Sequence, residues 1–410
     1  AVLLATLFAA QVCGSTGHSM SLAVGAIMAA AITGSNTWSG LPVGLGALGA
    51  ALASWPLARL MGALGRRPGL ALGYAIAVAG SGLGMIGVVA RDFPLFLLGM
   101  ALFGVGNTSN LLGRYAAADV SPGPRRGRAM GVIVWGSTVG SIVGPNLTAP
   151  ALHVAKLVGV SEIASAFLIS VAGYGLAAVL VQLFLRPDPL AIARQLEAGT
   201  GAAAPDRPPR APALLVGDAR VRLAFGTLMV GQLVMIGTTS TSPVYLHDHG
   251  HAVGVIGLAV SIHLAGMYVT SPLSGWLADR FGRVPMIGAG ALVLLLGVAV
   301  AGLAPGRAGA TVMLGLFLNG IGWNLAFVAG SALLTDALAP PERASIQGLA
   351  DLVMGLMGAL GSAAGGIVLG AWGFGVLNAA GAVLVLGPLA LAWATGHHRA
   401  ARLARTDAVA

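Results

Sequence analysis

The segment "GWLADRFGR", residues 275–283, places an aspartate and two arginines between two long apolar runs. Glycine permits a tight turn there, and Asp279 can accept hydrogen bonds from a neighbouring helix N-terminus or from Arg283. A degenerate copy, "ARLMGALGRRPG" at residues 58–69, has Gly62 at the position of the aspartate. The chain therefore contains two equivalent charged turns, and only the turn at 275–283 keeps its carboxylate.

The composition predicts a polytopic membrane protein. Of the 410 residues, 57% are hydrophobic and 9% are charged, and the mean hydropathy is +0.88. Soluble domains carry about 25% charged residues, so this chain cannot cover a water-facing surface. The first apolar run is too long for a removable signal peptide and has no charged start. No nucleophile triad, H-E-x-x-H or phosphate loop is present, so we expect neither an enzyme nor a bound cofactor.

Twelve apolar stretches of about 20 residues can cross a bilayer. They fall near 2–31, 38–62, 68–90, 93–117, 129–152, 162–185, 223–246, 254–278, 285–304, 310–336, 345–370 and 374–395. We therefore predict an all-α membrane protein with 12 transmembrane helices. Its expected parts are a six-helix bundle at 1–185, a cytoplasmic linker at 186–222 with a short helix at 190–198, a second six-helix bundle at 223–396 and a cytoplasmic tail at 397–410.

The arginines indicate the orientation in the membrane. They cluster in alternate loops, in the linker and at the C-terminus, whereas the other loops hold only Arg91, Lys156 and Arg307. Because basic loops face the cytoplasm, we expect both termini on the cytoplasmic side of a bacterial inner membrane. The net charge of +9 is then mainly a topology signal. A nucleic-acid partner is not expected, because no soluble domain concentrates the charge.

The two halves of the sequence resemble each other. "GRRPGLALG" (65–73) matches "GRVPMIGAG" (282–290), and "GMALFGVGN" (99–107) matches "GLFLNGIGWN" (315–324) with one extra residue. Such a six-plus-six repeat is typical of a transporter with alternating access and a central site between the halves.

The charged turn resembles the G-x-L-A-D-R-x-G-R loop of the major facilitator superfamily. The resemblance implies a two-bundle transporter, which we expect to be monomeric, with gating residues at both turns. These residues are Gly65, Arg66, Asp279, Arg280, Gly282 and Arg283. "GSIVGPN" (140–146) resembles the G-x-x-x-G-P motif of the family's antiporters, which adds Gly144 and Pro145 and keeps drug-type efflux as an alternative. Close packing of small residues explains the same motif equally well.

Proton coupling has no obvious carrier in the sequence. Span four has Met100 at the position nearest to the intramembrane arginine of many proton-coupled facilitators. Asp336 and Asp351 lie toward the predicted cytoplasmic ends of their spans. We therefore expect no carboxylate in the middle of the membrane.

A soft-metal site is predicted in the second half. His263 and Met267 are four residues apart, on one helix face, and Met235 lies in the preceding span. Imidazole and thioethers suit Cu(I). The stretch 229–283 resembles the CcoA-type bacterial copper importers, which implies copper import with Met235, His263 and Met267 as metal ligands. Thr239 replaces the second methionine of that subgroup's pattern, and riboflavin-carrying relatives make riboflavin the first alternative.

Other polar and aromatic side chains suit an organic solute or a further ligand. The candidates for substrate binding are Gln11, Cys13, His18, Asn107, Gln232, Trp323 and Asn324. Cys13 could equally be a packing residue, and the two asparagines could equally join helices. His247, His249 and His251 could capture metal in an outer loop, although a solvated loop explains them as well.

Overall fold

A computed structural model of the chain describes residues 2–34, 38, 41–147, 153–157, 165–198, 217–251, 253–304 and 308–407. Within these ranges the regular structure is helical, apart from turns and bends. The helices are α1 Val2–Thr33, α2 Leu41–Leu64, α3 Arg66–Ala90, α4 Phe93–Asp119, α5 Arg126–Asn146, α6 Ser165–Phe184, α7 Pro189–Ala198, α8 Ala219–Asp248, α9 Val253–Tyr268, α10 Ser271–Phe281, α11 Arg283–Leu303, α12 Gly309–Ala337 and α13 Pro340–Asp407. A single 3₁₀ turn, Gly123–Arg125, precedes α5.

The predicted all-α membrane fold is confirmed, and a helix lies at each of the twelve predicted spans. Among the described residues, nine helical segments are long and apolar enough to cross a membrane. One of them, Pro340–Thr395, has 56 residues and is interrupted at Gly373, whose φ of 84° only glycine adopts readily. It therefore contains both of the last two predicted spans. Helix α7 occupies the predicted linker helix, and residues 199–216 lie outside the described ranges.

Span eight contains two helices, α9 and α10, instead of the single helix suggested by its continuous apolar pattern. Val269 and Thr270 separate them. Pro272 has no main-chain N–H group, so the helical hydrogen bond to the carbonyl of Tyr268 cannot form. The predicted span at 254–278 coincides with α9 and α10 together, but the prediction did not include the break between them.

Contacts divide the chain into two compact units. Unit 1 is Ala1–Pro122, Val132–Arg207 and Pro340–Gly355, and unit 2 is Gly123–Gly131, Pro208–Ala339 and Leu356–Ala410. Each unit therefore contains the first turns of one helix, α13 or α5, from the other half of the sequence. The predicted domain boundaries stay a prediction.

Glycines let helices approach closely inside each unit. In unit 1, a Cβ atom on Gly99 of α4 would lie 2.6 Å from the Cα of Gly84 in α3. In unit 2, a Cβ atom on Gly297 of α11 would lie 2.5 Å from the main-chain nitrogen of Asn319 in α12. The abundant glycine is thus used for helix packing, as in other membrane proteins.

Candidate functional site

In unit 2, α9 places the His263 imidazole between two protein partners. The ring is 1% exposed. Its Nδ1 lies 2.9 Å from the carbonyl oxygen of Leu316, and its Nε2 lies 3.2 Å from the hydroxyl of Thr239. A carbonyl only accepts, so in the neutral imidazole Nδ1 carries the hydrogen and Nε2 is the acceptor for the hydroxyl of Thr239. Both ring nitrogens are therefore engaged by the protein.

The two methionines of the predicted metal site lie in the same unit. Met235 on α8 is 1% exposed and Met267 on α9 is 6% exposed. Within the described ranges, no group of three or more His, Cys, Asp or Glu side chains is arranged to hold a metal ion. His247 is exposed, and Nδ1 of His249 lies 2.8 Å from the carbonyl oxygen of Tyr245. A metal in unit 2 would depend on the thioethers and on one imidazole nitrogen that already has a partner.

An aromatic cluster in unit 2 includes Tyr268, the residue after Met267. Trp323 on α12 stacks on Phe327, four residues later, with ring centroids 4.6 Å apart and an interplanar angle of 12°. The ring of Tyr268 meets Trp323 edge-on at 6.5 Å. The indole N–H of Trp323 donates to Oε1 of the half-buried Gln232 at 2.8 Å. We call Gln232, Tyr268, Trp323 and Phe327 the aromatic platform.

Asn324, the residue after Trp323, is fully buried. Its Nδ2 donates to the hydroxyl of Ser271 at 2.7 Å, and its Oδ1 accepts from the hydroxyl of Ser274 at 2.6 Å. Asn324 is thus joined to α10, in agreement with the helix-joining alternative considered for it. Its expected contact with a solute stays a prediction.

The candidates from the first half of the sequence lie in unit 1. Nε2 of Gln11 donates to the hydroxyl of Ser137 at 2.8 Å. Nδ1 of His18 lies 2.9 Å from the hydroxyl of Tyr174, and the His18 ring stacks on Phe103. Cys13 is a half-buried free thiol, and Asn107 is half-buried. Unit 1 therefore has its own polar and aromatic set on α1, α4 and α6.

Charged side chains surround the turn between α10 and α11 in unit 2. Asp279 accepts from the main-chain N–H groups of Gly127 at 2.9 Å and Arg128 at 2.7 Å, and it also pairs with Arg283. These N–H groups belong to the first turn of α5, where they have no helical partner. Arg283 and Arg126 both contact Asp336, at 3.2 and 2.7 Å. Asp279 thus caps α5 and joins a four-residue ionic network.

The glycines of the two turns have the backbone conformations that the motif requires. Gly65 has φ 107° and Gly282 has φ 95°, a region that L-residues with side chains rarely adopt. Arg280 is exposed. The role of these residues in gating stays a prediction.

The equivalent cluster in unit 1 lacks the carboxylate at position 62. Nε of Arg66 donates to Asp119 at 2.8 Å, and its Nη2 donates to Gln347 at 2.5 Å. Arg343 approaches Asp119 at 3.9 Å. From the sequence, Asp119 and Asp336 are only acidic residues at the ends of spans, and Arg126 and Arg343 are only basic residues of predicted cytoplasmic loops. The repeat alignment was the signal that could have identified them as partners.

Unit 1 also contains a buried ion pair that sequence analysis missed. Arg114, near the end of α4, is 1% exposed and pairs with Asp351 in the first turns of α13 through two hydrogen bonds. Its Nη2 donates to the hydroxyl of Tyr115 at 3.0 Å, and the guanidinium lies 4.2 Å from the centroid of that ring. An arginine inside an apolar span was visible in the sequence. Its partner, 237 residues away, was not.

The "GSIVGPN" motif packs α5 against α1 within unit 1. A Cβ atom on Gly140 would lie 2.6 Å from the carbonyl oxygen of Val12, and one on Gly144 would lie 2.7 Å from that of Thr16. The side chain of Pro145 lies outside the described part of the chain. Helix packing accounts for the two glycines, so the motif gives little support to drug efflux.

A repeated helical membrane protein with paired charged turns and polar sites within its helices belongs to the class of solute transporters. The sequence matches the Major Facilitator Superfamily over residues 7–253 and 223–407. It is 34% identical over 389 residues to the uncharacterized MFS-type transporter YdeG of Bacillus subtilis, covering 92% of this chain and 87% of YdeG. The chain therefore belongs to the Major Facilitator Superfamily. It is a multi-pass membrane protein and a secondary transporter.

Two further similarities bear on substrate class and fold. The riboflavin transporter RfnT of Brucella anthropi is 28% identical over 353 residues, with 84% of this chain and 83% of RfnT covered. The crystal structure of the human organic anion transporter MFSD10 (TETRAN) superposes with a TM-score of 0.75 at 17% identity, covering 95% of this chain and 99% of that one. The second similarity shows the fold alone.

Proposed function

We propose that this transporter imports a small planar organic solute of the flavin class, with riboflavin as the first candidate. The aromatic platform is the observation that carries this proposal. Trp323 and Phe327 stack on each other and are 6% and 3% exposed in this conformation, so the flat aromatic surface of a flavin would stack on Trp323 once the surrounding helices move apart during alternating access. Its pyrimidinedione edge offers carbonyl and N–H groups to the amide of Gln232. Apolar walls with a few placed polar groups are typical of sites for organic ligands.

The similarity to a riboflavin transporter supports the same substrate class. Copper, which the sequence favoured, has weaker support from the geometry of His263. A Cu(I) ion would need the Nε2 lone pair, and the hydroxyl of Thr239 already donates to it.

Uptake of labelled riboflavin by cells without their own riboflavin importer tests the proposal. We expect uptake by the parent chain and a loss of about tenfold in Trp323→Leu, since stacking and the hydrogen bond disappear together. Trp276→Leu is the matched control, because Trp276 is 44% exposed on α10. Equal losses in both variants, or no riboflavin uptake by the parent, would contradict the proposal.

Labelled copper provides the competing measurement in the same cells. If the parent accumulates copper and His263→Ala and Met267→Ala both abolish this accumulation at normal protein level, copper is the substrate. We expect copper accumulation to stay at the background of cells without the protein.

The arginine distribution supports an inner-membrane orientation with both termini in the cytoplasm. A reporter fused after Arg405 should then be cytoplasmic, and one inserted near His249 should be periplasmic. The opposite labelling would reverse the proposed orientation.

A further inference from the structure

The aromatic platform and the Asp279 cluster of unit 2 both include residues of one broken span. Helix α9 ends at Tyr268, which contacts Trp323 in the aromatic platform. Helix α10 begins at Ser271 and carries Asp279, which caps α5. The solute site and the charged cluster are therefore connected through the two residues of the break. We propose that Asn324 is a positioning residue that couples the aromatic platform to the Asp279 cluster across this break.

The break is built into the main chain. The N–H of Val269 still bonds to Ala265 at 2.9 Å, and the next regular bond runs from the N–H of Ser274 to Thr270 at the same distance. Between them, Pro272 offers no N–H group. Two rigid helices thus meet at a joint of two residues, where a small rotation disturbs few hydrogen bonds.

Asn324 connects α12 to the first turn of α10. Its two amide groups bond to the hydroxyls of Ser271 and Ser274. All three side chains are at most 2% exposed, so water cannot readily replace these bonds when α10 moves. Because Asn324 directly follows Trp323, a solute that shifts the tryptophan also shifts the amide that bonds to α10.

The same face of α10 contacts the segment that Asp279 caps, because Gly275 lies one turn after Ser271. A Cβ atom on Gly275 would lie 2.7 Å from the carbonyl carbon of Gly127 and 2.8 Å from the Cα of Arg128. The two main chains therefore touch, with no side chain between them to absorb a displacement. A rotation of α10 about its joint changes both this contact and the capping bonds of Asp279.

The equivalent region of unit 1 lacks this arrangement. Helix α2 continues without a break from Leu41 to Leu64, although it contains Pro56. Leu57 stands at the position equivalent to Ser274, and Asn107, equivalent to Asn324, is half-buried. Of these two described regions, only the one with the broken helix and with Asp279 at the start of α5 has a buried asparagine bonded to the neighbouring helix.

Distance measurements on the full-length chain in lipid nanodiscs test the coupling. Probes on cysteines introduced at Arg125 and Phe281, both exposed, report on the distance between α10 and the start of α5. The background is a Cys13→Ser chain whose transport has first been verified. We expect riboflavin to shift this distance distribution in the background chain. In Asn324→Leu we expect riboflavin affinity within about twofold, no distance shift, and at least tenfold slower transport.

Asn378→Leu is the matched control. Asn378 is also a buried asparagine of unit 2, bonded to Thr238 and to the carbonyl of Phe374, and it does not bond to α10. It should keep the riboflavin-dependent shift. If Asn324→Leu keeps the shift, or Asn378→Leu loses it to the same extent, the coupling role of Asn324 is wrong. If Asn324→Leu does not fold, a Ser271→Ala, Ser274→Ala double variant removes the same bonds from the α10 side and should give the same result.

The solute identity in this test rests on the proposed function, so a second arm uses no solute. Trp323→Ala perturbs the platform directly and should shift the distance distribution in the background chain but not when combined with Asn324→Leu. This non-additivity measures the coupling by itself. Failure of riboflavin to bind, with the Trp323→Ala shift present, would reject the flavin proposal and keep the coupling. Additive shifts would reject the coupling whatever the solute.

Discussion

The two charged clusters contain three equivalent charged residues of the repeat and differ at two positions, since Gly62 and Gln347 of unit 1 correspond to Asp279 and Met130 of unit 2. Unit 1 has Arg66, Asp119 and Arg343, and unit 2 has Arg283, Asp336 and Arg126 at the same repeat positions. The surrounding helix contacts are equivalent as well. Gly348 approaches the carbonyl of Ser54 in unit 1, and Gly131 approaches that of Ser271 in unit 2. The helices around the two clusters thus make the same main-chain contacts, and unit 1 has Gly62 at the position where unit 2 has Asp279.

This difference changes how each cluster neutralises its arginines. In unit 2, Arg283 contacts both Asp279 and Asp336, and its side chain is 10% exposed. In unit 1, Arg66 is fully buried, and its guanidinium pairs with the carboxylate of Asp119 while its main-chain N–H bonds to Asp188. The Nη1 of Arg66 has no hydrogen-bond partner among the described residues. Unit 1 therefore depends on fewer but more desolvated contacts, which are costly to lose.

The buried pair Arg114–Asp351 extends this contrast, because the equivalent repeat positions carry the uncharged residues Ser331 and Val134. Asp351→Ala should cost about 5 kcal/mol of unfolding free energy, since it leaves the buried Arg114 without its carboxylate. Unfolding in detergent measures this cost. A double variant with Arg114→Met and Asp351→Leu should recover most of the stability, because buried pairs are often replaceable by apolar residues. A double variant as unstable as Asp351→Ala would contradict this account.

Asp119→Ala is expected to cost less, about 3 kcal/mol, because Arg66 keeps its bond to Gln347. The equivalent change in unit 2, Asp336→Ala, removes a side chain that is 20% exposed and should cost about 1 kcal/mol. The two unfolding free energies, measured under the same conditions, test the contrast directly. Equal losses would show that burial does not distinguish the clusters.

Asp279→Asn probes the side chain that unit 1 lacks. The amide keeps one acceptor for the N–H groups of α5 but loses the charge that interacts with the helix terminus and Arg283. We expect a folded protein with transport changed about tenfold, corresponding to about 1.4 kcal/mol between conformations. Transport assays at matched protein levels measure this effect. Transport equal to that of the parent would remove the gating role of Asp279.

The sequence revealed the twelve spans because each consists of about 20 apolar residues, a pattern that depends only on local composition. It also revealed the position of Asp279, because the repeat and the motif mark it. It did not reveal the break at Val269–Thr270, since Pro272 can either bend or interrupt a helix depending on tertiary contacts. The partners of Arg114 and Asn324 were hidden for a related reason. Long-range pairs depend on how helices pack, and one sequence contains no record of which spans touch.

The residue at which the neighbouring helix begins determines what an aspartate at position 62 can bind. The substitution Gly62→Asp therefore has the smallest effect that we expect. Gly127 and Arg128 are the second and third residues of α5, so their N–H groups are free for Asp279. Helix α13 begins at Pro340, so Ala344, the residue equivalent to Gly127, bonds inside its own helix. A carboxylate introduced by Gly62→Asp could therefore reach Arg66, four residues later, but would find no free helix terminus.

We expect Gly62→Asp to change the unfolding free energy by less than about 1 kcal/mol and transport by less than about threefold. The pairing with Arg66 favours the variant, while the new Cβ lies 3.3 Å from the Cβ of Ala344 and requires a small local shift. Gly62→Asn, with the same shape and no charge, isolates the electrostatic part. If Gly62→Asp slowed transport about tenfold while Gly62→Asn did not, the introduced carboxylate would be acting as Asp279 does. The position of the helix start would then not explain the asymmetry between the two clusters.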